Sequence, residues 1–266
     1  MRLAQHYIIL IAGILLIFTL SLAAHAKAQG DDAYSFYRQG LEAQTIGERE
    51  QSLEKALQLY LGQYNKMKEK GEQNGLLTLN IGNCYFNLGQ NEEAIFYYRL
   101  GNKLLPRSEK IKANLAIALE KRENAVDPES NGLLEDLLVF HYKLSFAERI
   151  QLVVFFAFIA AMSLAWLIIK PNITMRYTAI ITSLALVSLS ASLAAEYYNP
   201  KHIGILMQIT DVRRGAGSEF APITAHPFGG GSSLEVLSLK KGWYQVQLND
   251  GRKGFVEQVN LRVLTL

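Results

Sequence analysis

Two uncharged apolar stretches dominate the pattern along the chain. Gln151 to Ile169 and Tyr177 to Ala195 are each 19 residues long and carry no charged side chain. That is close to the roughly 20 residues a helix needs to cross a hydrocarbon core of about 30 Å. A half-buried helix of a soluble domain shows one apolar stripe, whereas these stretches are apolar on every face. Lys170 to Arg176 leaves room only for a tight reversal, and Pro171 ends the first helix because it cannot continue the hydrogen-bonded ladder. Ser145-Phe146-Ala147-Glu148 reads as a capping box opening that helix. The pattern predicts a membrane hairpin: a first transmembrane helix over 150–169, a turn over 170–176 and a second helix over 177–195.

Upstream, Arg2 precedes an apolar run from Tyr7 to Leu22 and then Ala24-His25-Ala26-Lys27-Ala28. A positive start, an apolar stretch and small residues spaced A-x-A are the parts of a secretory signal peptide over 1–28, cut after Ala26 or Ala28. An uncleaved first anchor is the alternative reading. Either way the chain from Gly30 is exported, the first span returns inward, and Lys170 and Arg176 fall on a cytoplasmic turn, as basic residues of short loops prefer. The second span leads back out, where Tyr197, Tyr198 and Pro200 suit an interfacial exit. Asn172-Ile173-Thr174 matches a glycosylation acceptor, but a cytoplasmic turn is the wrong compartment for it.

Residues 31–124 read as helices with short polar breaks. Within Gly75 to Arg107, Ile81, Gly82, Tyr85, Ala94, Tyr98 and Pro106 are spaced so that small residues fall where two antiparallel helices approach and tyrosines fill the space beside them. Gly89-Gln90-Asn91 makes the turn, and Glu92 and Glu93 suit the positive start of the second helix. This resembles a tetratricopeptide repeat, with Thr78 in place of the usual tryptophan. Ser108 to Arg122 resembles the first helix of a following unit; Tyr37, Gly40, Ala56 and Tyr60 outline a divergent preceding one with a lengthened turn around Ile46 to Arg49. A lone repeat cannot bury its own apolar face, so neighbours are required. The resemblance implies a concave groove lined by Leu79, Asn83, Phe86, Asn87, Lys110 and Asn114. Asparagines can hold a peptide backbone there, and Lys110 can meet a carboxylate. The alternative is that Asn83, Asn87 and Lys110 are simply solvated. Cys84 reads as a small buried apolar residue rather than a redox switch.

Asp127-Pro128 and Asn131-Gly132 close this region, and 125–149 reads as a juxtamembrane linker with an apolar segment over 133–142. After the second span the period changes. Short β-type runs appear at Ile203–Ile209, Leu234–Leu239, Trp243–Leu248, Lys253–Val256 and Asn260–Leu264, with a hairpin signal at Asn249-Asp250-Gly251. Asp211-Val212-Arg213, Leu234-Glu235-Val236-Leu237, Gly242-Trp243-Tyr244-Gln245-Val246 and Asp250-Gly251-Arg252-Lys253-Gly254-Phe255-Val256 make residues 201–266 resemble a bacterial SH3-like barrel, with Phe255 where a tryptophan is common. Trp243 and Phe255 form either an aromatic floor for a peptide or glycan, or part of the core. Gly229-Gly230-Gly231 marks a long loop, with no following helix to make it a phosphate site.

The predicted fold class is thus a multidomain membrane protein: a helical tetratricopeptide domain, a two-helix transmembrane hairpin and a small all-β barrel. Charge changes this picture little. A net charge of +3 with 19% charged residues gives no reason to expect a nucleic-acid partner. One cysteine excludes an intramolecular disulfide framework, and the five histidines lack the short spacings of metal-binding helices, so no cofactor is expected. There is no nucleotide loop or G-x-S-x-G elbow, and the expectation is a protein that is not an enzyme. The order of parts resembles the BatE-type proteins of bacterial aerotolerance operons. That resemblance implies a bacterial inner membrane, periplasmic terminal domains and a place in a complex with von Willebrand factor A-domain proteins and a MoxR-type ATPase, in envelope stress tolerance. Two functions follow as expectations: a noncatalytic scaffold acting through the helical groove, or a receptor binding peptidoglycan through the SH3-like domain.

Overall fold

A computed structural model describes residues 31–127, 143–198, 200–248 and 250–264. The signal peptide expected over 1–28, and most of the linker expected over 125–149, lie outside the described residues. The chain divides after Leu59 into two compact units.

In the first unit, α1 (Asp31–Glu42) is followed by α2 (Ile46–Glu69), which continues past the division. The lengthened turn expected around Ile46 to Arg49 is instead helical: Thr45 caps α2, accepting from the Glu48 N–H at 3.3 Å and donating to the Glu48 carboxylate at 2.9 Å. Gly40 earns its place by proximity, since a Cβ there would stand 2.7 Å from Leu53 Cγ. Lys55 Nζ lies 4.3 Å from the centre of the Phe36 ring.

The second unit holds a helical region, two long apolar helices and a five-stranded antiparallel sheet. α3 (Gly75–Asn87) and α4 (Asn91–Leu104) form an antiparallel pair joined through Gly89, whose φ of +78° makes the turn. Asn74 caps α3, accepting from the N–H groups of Leu76 and Leu77. A Cβ on Gly82 would lie 2.6 Å from two Tyr98 ring carbons, so the pair is as close as its glycine allows. Ile81, Ala94 and Tyr98 are buried, Tyr85 stacks on Tyr97 at 5.4 Å, and Pro106 follows the end of α4. Thr78 is also buried and donates its hydroxyl to the Gly75 carbonyl at 2.8 Å. α5 (Glu109–Glu120), capped by Ser108, packs on α4.

α6 (Phe146–Ile169) and α7 (Ile173–Tyr198) are 24 and 26 residues long, enough to cross a membrane. The Ser145–Glu148 capping box is formed as the sequence indicates. The helices outrun the uncharged stretches, and the turn shrinks to Lys170–Asn172 because Asn172 Oδ1 accepts from the Thr174 N–H and starts α7 at once. Their mutual contact buries Ala160, Ser163, Ala179, Thr182 and Ser192, small residues that let backbones approach.

The sheet contains β1 (His202–Leu206), β2 (Ser233–Lys240), β3 (Trp243–Gln247), β4 (Lys253–Glu257) and β5 (Leu261–Val263), in the order β4-β3-β2-β1-β5. β1 stops at Leu206, short of the expected Ile209; the connection that follows crosses to β4, where Arg213 and Phe255 exchange two backbone hydrogen bonds of 2.8 Å. That pairing covers an otherwise open edge. Lys241 and Gly242, with φ of 50° and 80°, make a two-residue hairpin turn. Leu206, Val212, Leu234, Val236, Val246, Leu248, Val256 and Leu261 form the core.

Candidate functional site

The six residues expected to line a groove on the helical region divide into two groups. Leu79 is buried, and Asn83 is only 8% exposed. The Asn83 Oδ1 accepts from the Tyr98 hydroxyl at 2.9 Å and from Asn114 Nδ2 at 2.7 Å. One amide oxygen therefore ties α3, α4 and α5 together. Asn83 and Asn114 are each committed to a partner inside the protein, so they act as struts. Phe86, Asn87 and Lys110 retain accessible surface. The Phe86 ring lies under Lys121 Nζ at 4.0 Å, and Asn87 Nδ2 donates to the Asn83 carbonyl at 2.8 Å.

Strand register decides where Trp243 and Phe255 point. Trp243 pairs with Glu257 and Gln245 with Phe255, whereas Tyr244 pairs with Val256 and Val246 with Gly254. Side chains alternate along a strand, so Trp243, Gln245, Phe255 and Glu257 share the face opposite Val246 and Val256, which belong to the core. Both aromatics are half-buried on the sheet's outer face. A shallow hollow of about 500 Å³ adjoins Trp243, lined also by Gly242, Glu257, Gln258 and Val259. Trp243→Ala is accordingly expected to lower the stability of the sheet by roughly 1 kcal/mol, and Val246→Ala by about twice that. Chemical denaturation of the two variants measures the difference.

A third cluster escaped the sequence reading. The segment Asn124–Asp127 runs from the end of α5 onto the sheet. The Asn124 carbonyl accepts from the Gly229 N–H at 2.9 Å, Val126 exchanges hydrogen bonds with Ser232 Oγ and the Ser233 N–H, and the Val126 side chain packs against the sheet core. The Asp127 carboxylate receives Arg99 at 2.5 Å, Arg122 at 2.6 Å and the Ser233 hydroxyl at 2.8 Å. Burial pushes this carboxyl up, but the hydrogen bond from Arg122, the charge of Arg99 and the hydrogen bond from Ser233 outweigh it and hold Asp127 below the usual carboxylate range. Burial pulls the Arg99 guanidinium down from its ordinary value. On β5, Arg262 lies over the rings of Phe96 and Tyr97, at 4.2 and 5.1 Å, and donates to the Tyr97 hydroxyl at 3.0 Å. The glycine triplet belongs here too. A Cβ on Gly229 would lie 1.7 Å from the Glu123 carbonyl oxygen, one on Gly230 2.4 Å from the Glu92 carboxylate, and one on Gly231 2.7 Å from Ile95. Three glycines before two serines signal a backbone that something approaches closely; a loop reading overlooks that signal.

Cys84 is buried in α3, and burial pushes its thiol up to about 12. A thiol in that state is not a nucleophile at neutral pH. Native protein is expected to resist maleimide labelling, and to take up one equivalent on unfolding, as mass spectrometry reads directly. Among the described residues, no three His, Cys, Asp or Glu side chains come together to hold a metal ion. No protein-family model matches the chain, and a search of curated proteins finds no relative.

Proposed function

We propose that the chain is a two-span scaffold of a bacterial inner membrane, noncatalytic, with a tetratricopeptide-like helical domain and an SH3-like barrel both in the periplasm. The observation that carries this reading is the contact of Asn124–Asp127 and α4 with the sheet. The two apolar helices lie between these partners in sequence, so domains that touch must lie on one side of any bilayer, and the chain between them must cross an even number of times. The aromatic residues fit a bilayer as well. Trp166 and Tyr177 flank the turn at 49% and 60% exposure, and Tyr197 and Tyr198 end α7 at 77% and 82%, as expected of side chains at the two membrane–water interfaces. Between them Phe155, Phe158, Ile181 and Leu184 face outward with only lipid to solvate them.

In this reading partners are gathered by the accessible part of the helical surface, Phe86, Asn87, Lys110 and the neighbouring Lys121, which suits an acidic or carboxylate-ended segment of an envelope protein. The resemblance to BatE-type proteins points to von Willebrand factor A-domain proteins accompanied by a MoxR-type ATPase. The test is affinity purification from crosslinked native membranes with the parent and with Lys110→Glu/Lys121→Glu, two exposed positions whose change leaves the Asn83 strut intact. Recovery of the same proteins at the same yield by both would overturn the groove. The outward-facing Trp243 and Phe255 favour a second reading, a receptor for peptidoglycan. It requires that the full chain in detergent sediment with purified wall material and that Trp243→Ala lose this property.

A further inference from the structure

The seam between the helical region and the sheet differs chemically from the cores it joins. Its centre is one carboxylate, Asp127, that takes donors from three elements: Arg99 of α4, Arg122 just past α5, and Ser233 at the start of β2. Arg122 also donates to the Gly231 carbonyl at 3.0 Å. The second attachment, Arg262 on Phe96 and Tyr97, is a cation on aromatic faces. Apolar contact in the seam includes Val126 on the sheet core and Ile95 beside Gly231. Seams of this polar kind between domains resemble transient protein interfaces more than domain cores. Their charge-assisted bonds are strong but few.

The fit is also close. Where Gly229 meets the Glu123 carbonyl, backbone against backbone, not even a methyl group has room, while Gly230 and Gly231 lie against the side-chain ends of Glu92, Arg122 and Ile95. Packed contacts of this kind switch between discrete arrangements rather than deform.

We propose that Asn124–Asp127 with the Gly229–Ser233 loop is a latch with two states. Closed, it holds the sheet domain against α4 and shields Phe96 and Tyr97, so that the domains on either side of the membrane hairpin move as one body. Open, it frees the sheet domain, still anchored by α7, and bares those two rings. The latch stands apart from any identification of partners.

Hydrogen exchange of the full chain in lipid nanodiscs tests it, comparing the parent with Asp127→Ala and, from the other side of the seam, Arg262→Ala. Loss of a charge-assisted contact is expected to speed exchange at the amides of Gly229 and Ser233, which donate to Asn124 and Val126 across the seam, by about tenfold to a hundredfold. Amides of β3 and β4 are expected to keep the parent's protection. Unchanged exchange in the loop of both variants would overturn the latch. So would an equal rise throughout the sheet, which would make the seam an integral part of one folding unit. Should Asp127→Ala not fold, Arg262→Ala and the milder Asp127→Asn carry the same comparison.

Discussion

Alanine at position 82 is expected to destabilise the helical region by about 1–4 kcal/mol. The new methyl would sit 2.6 Å from Cδ1 and Cε1 of Tyr98 and 3.3 Å from Cγ. Whether the ring can retreat decides the outcome, and two observations say it cannot. Tyr98 is fully buried, and its hydroxyl is fixed to Asn83, which Asn114 holds in turn. Moving the ring therefore strains the core and breaks a hydrogen bond that ties three helices. Overpacking of this kind costs roughly 1–3 kcal/mol and a lost buried hydrogen bond about 1 more. The better helix propensity of alanine offsets up to about 1 kcal/mol. A fall in melting temperature of about 5 °C or more follows, read from helical circular dichroism. Two controls separate sterics from propensity. Gly62→Ala, with nothing within 4 Å of its new Cβ, is expected to be neutral or stabilising by about 0.5–1 kcal/mol. Tyr98→Leu in the Gly82→Ala background should recover part of the loss. A Gly82→Ala protein that melts with the parent would mean that α3 and α4 are not packed as described.

This glycine was legible in the sequence, and the reason is physical. Close helix approach demands a small residue at a fixed spacing from a large one, and Gly82, Ala94 and Tyr98 meet that demand within one short segment. The strands were legible for a similar reason: turn residues such as Gly242 and Gly251, both at positive φ, bracket runs whose alternation survives in the core as Val246 and Val256. What local pattern could not supply was pairing at long range. Asn83 looks like a groove residue from its helix alone; only the approach of Tyr98 and Asn114, 15 and 31 residues away, makes it a strut. The sheet's aromatics were undecided until register put Trp243 opposite Glu257. Asp127 looked like a mere break before a proline, because its partner Ser233 is 106 residues off, beyond both apolar helices.

Arg149 is the same kind of long-range commitment, and its loss is expected to loosen the helical hairpin by about 3 kcal/mol. It lies one turn into α6, yet its side chain is only 3% exposed. It donates to Ser192 Oγ at 2.9 Å and pairs with the Glu196 carboxylate, so the start of α6 is pinned beside the end of α7. A guanidinium taken out of water must recover its hydration from such partners. Removing it takes the cation away from the part-buried Glu196 carboxylate and the buried Ser192 hydroxyl, which is why breaking one side of such a pair costs more than replacing both sides. The expected pattern is therefore unequal: Arg149→Met destabilises strongly, whereas Arg149→Met with Glu196→Leu recovers most of the loss. Detergent-titration unfolding of the full chain measures both, and a double variant no better than the single would show that the two groups are not coupled. The pair also fixes register. With Arg107 bound to Glu148 one residue earlier, it sets where the helical region meets α6 and where α7 releases the sheet. A hairpin without it should slide by a turn more readily.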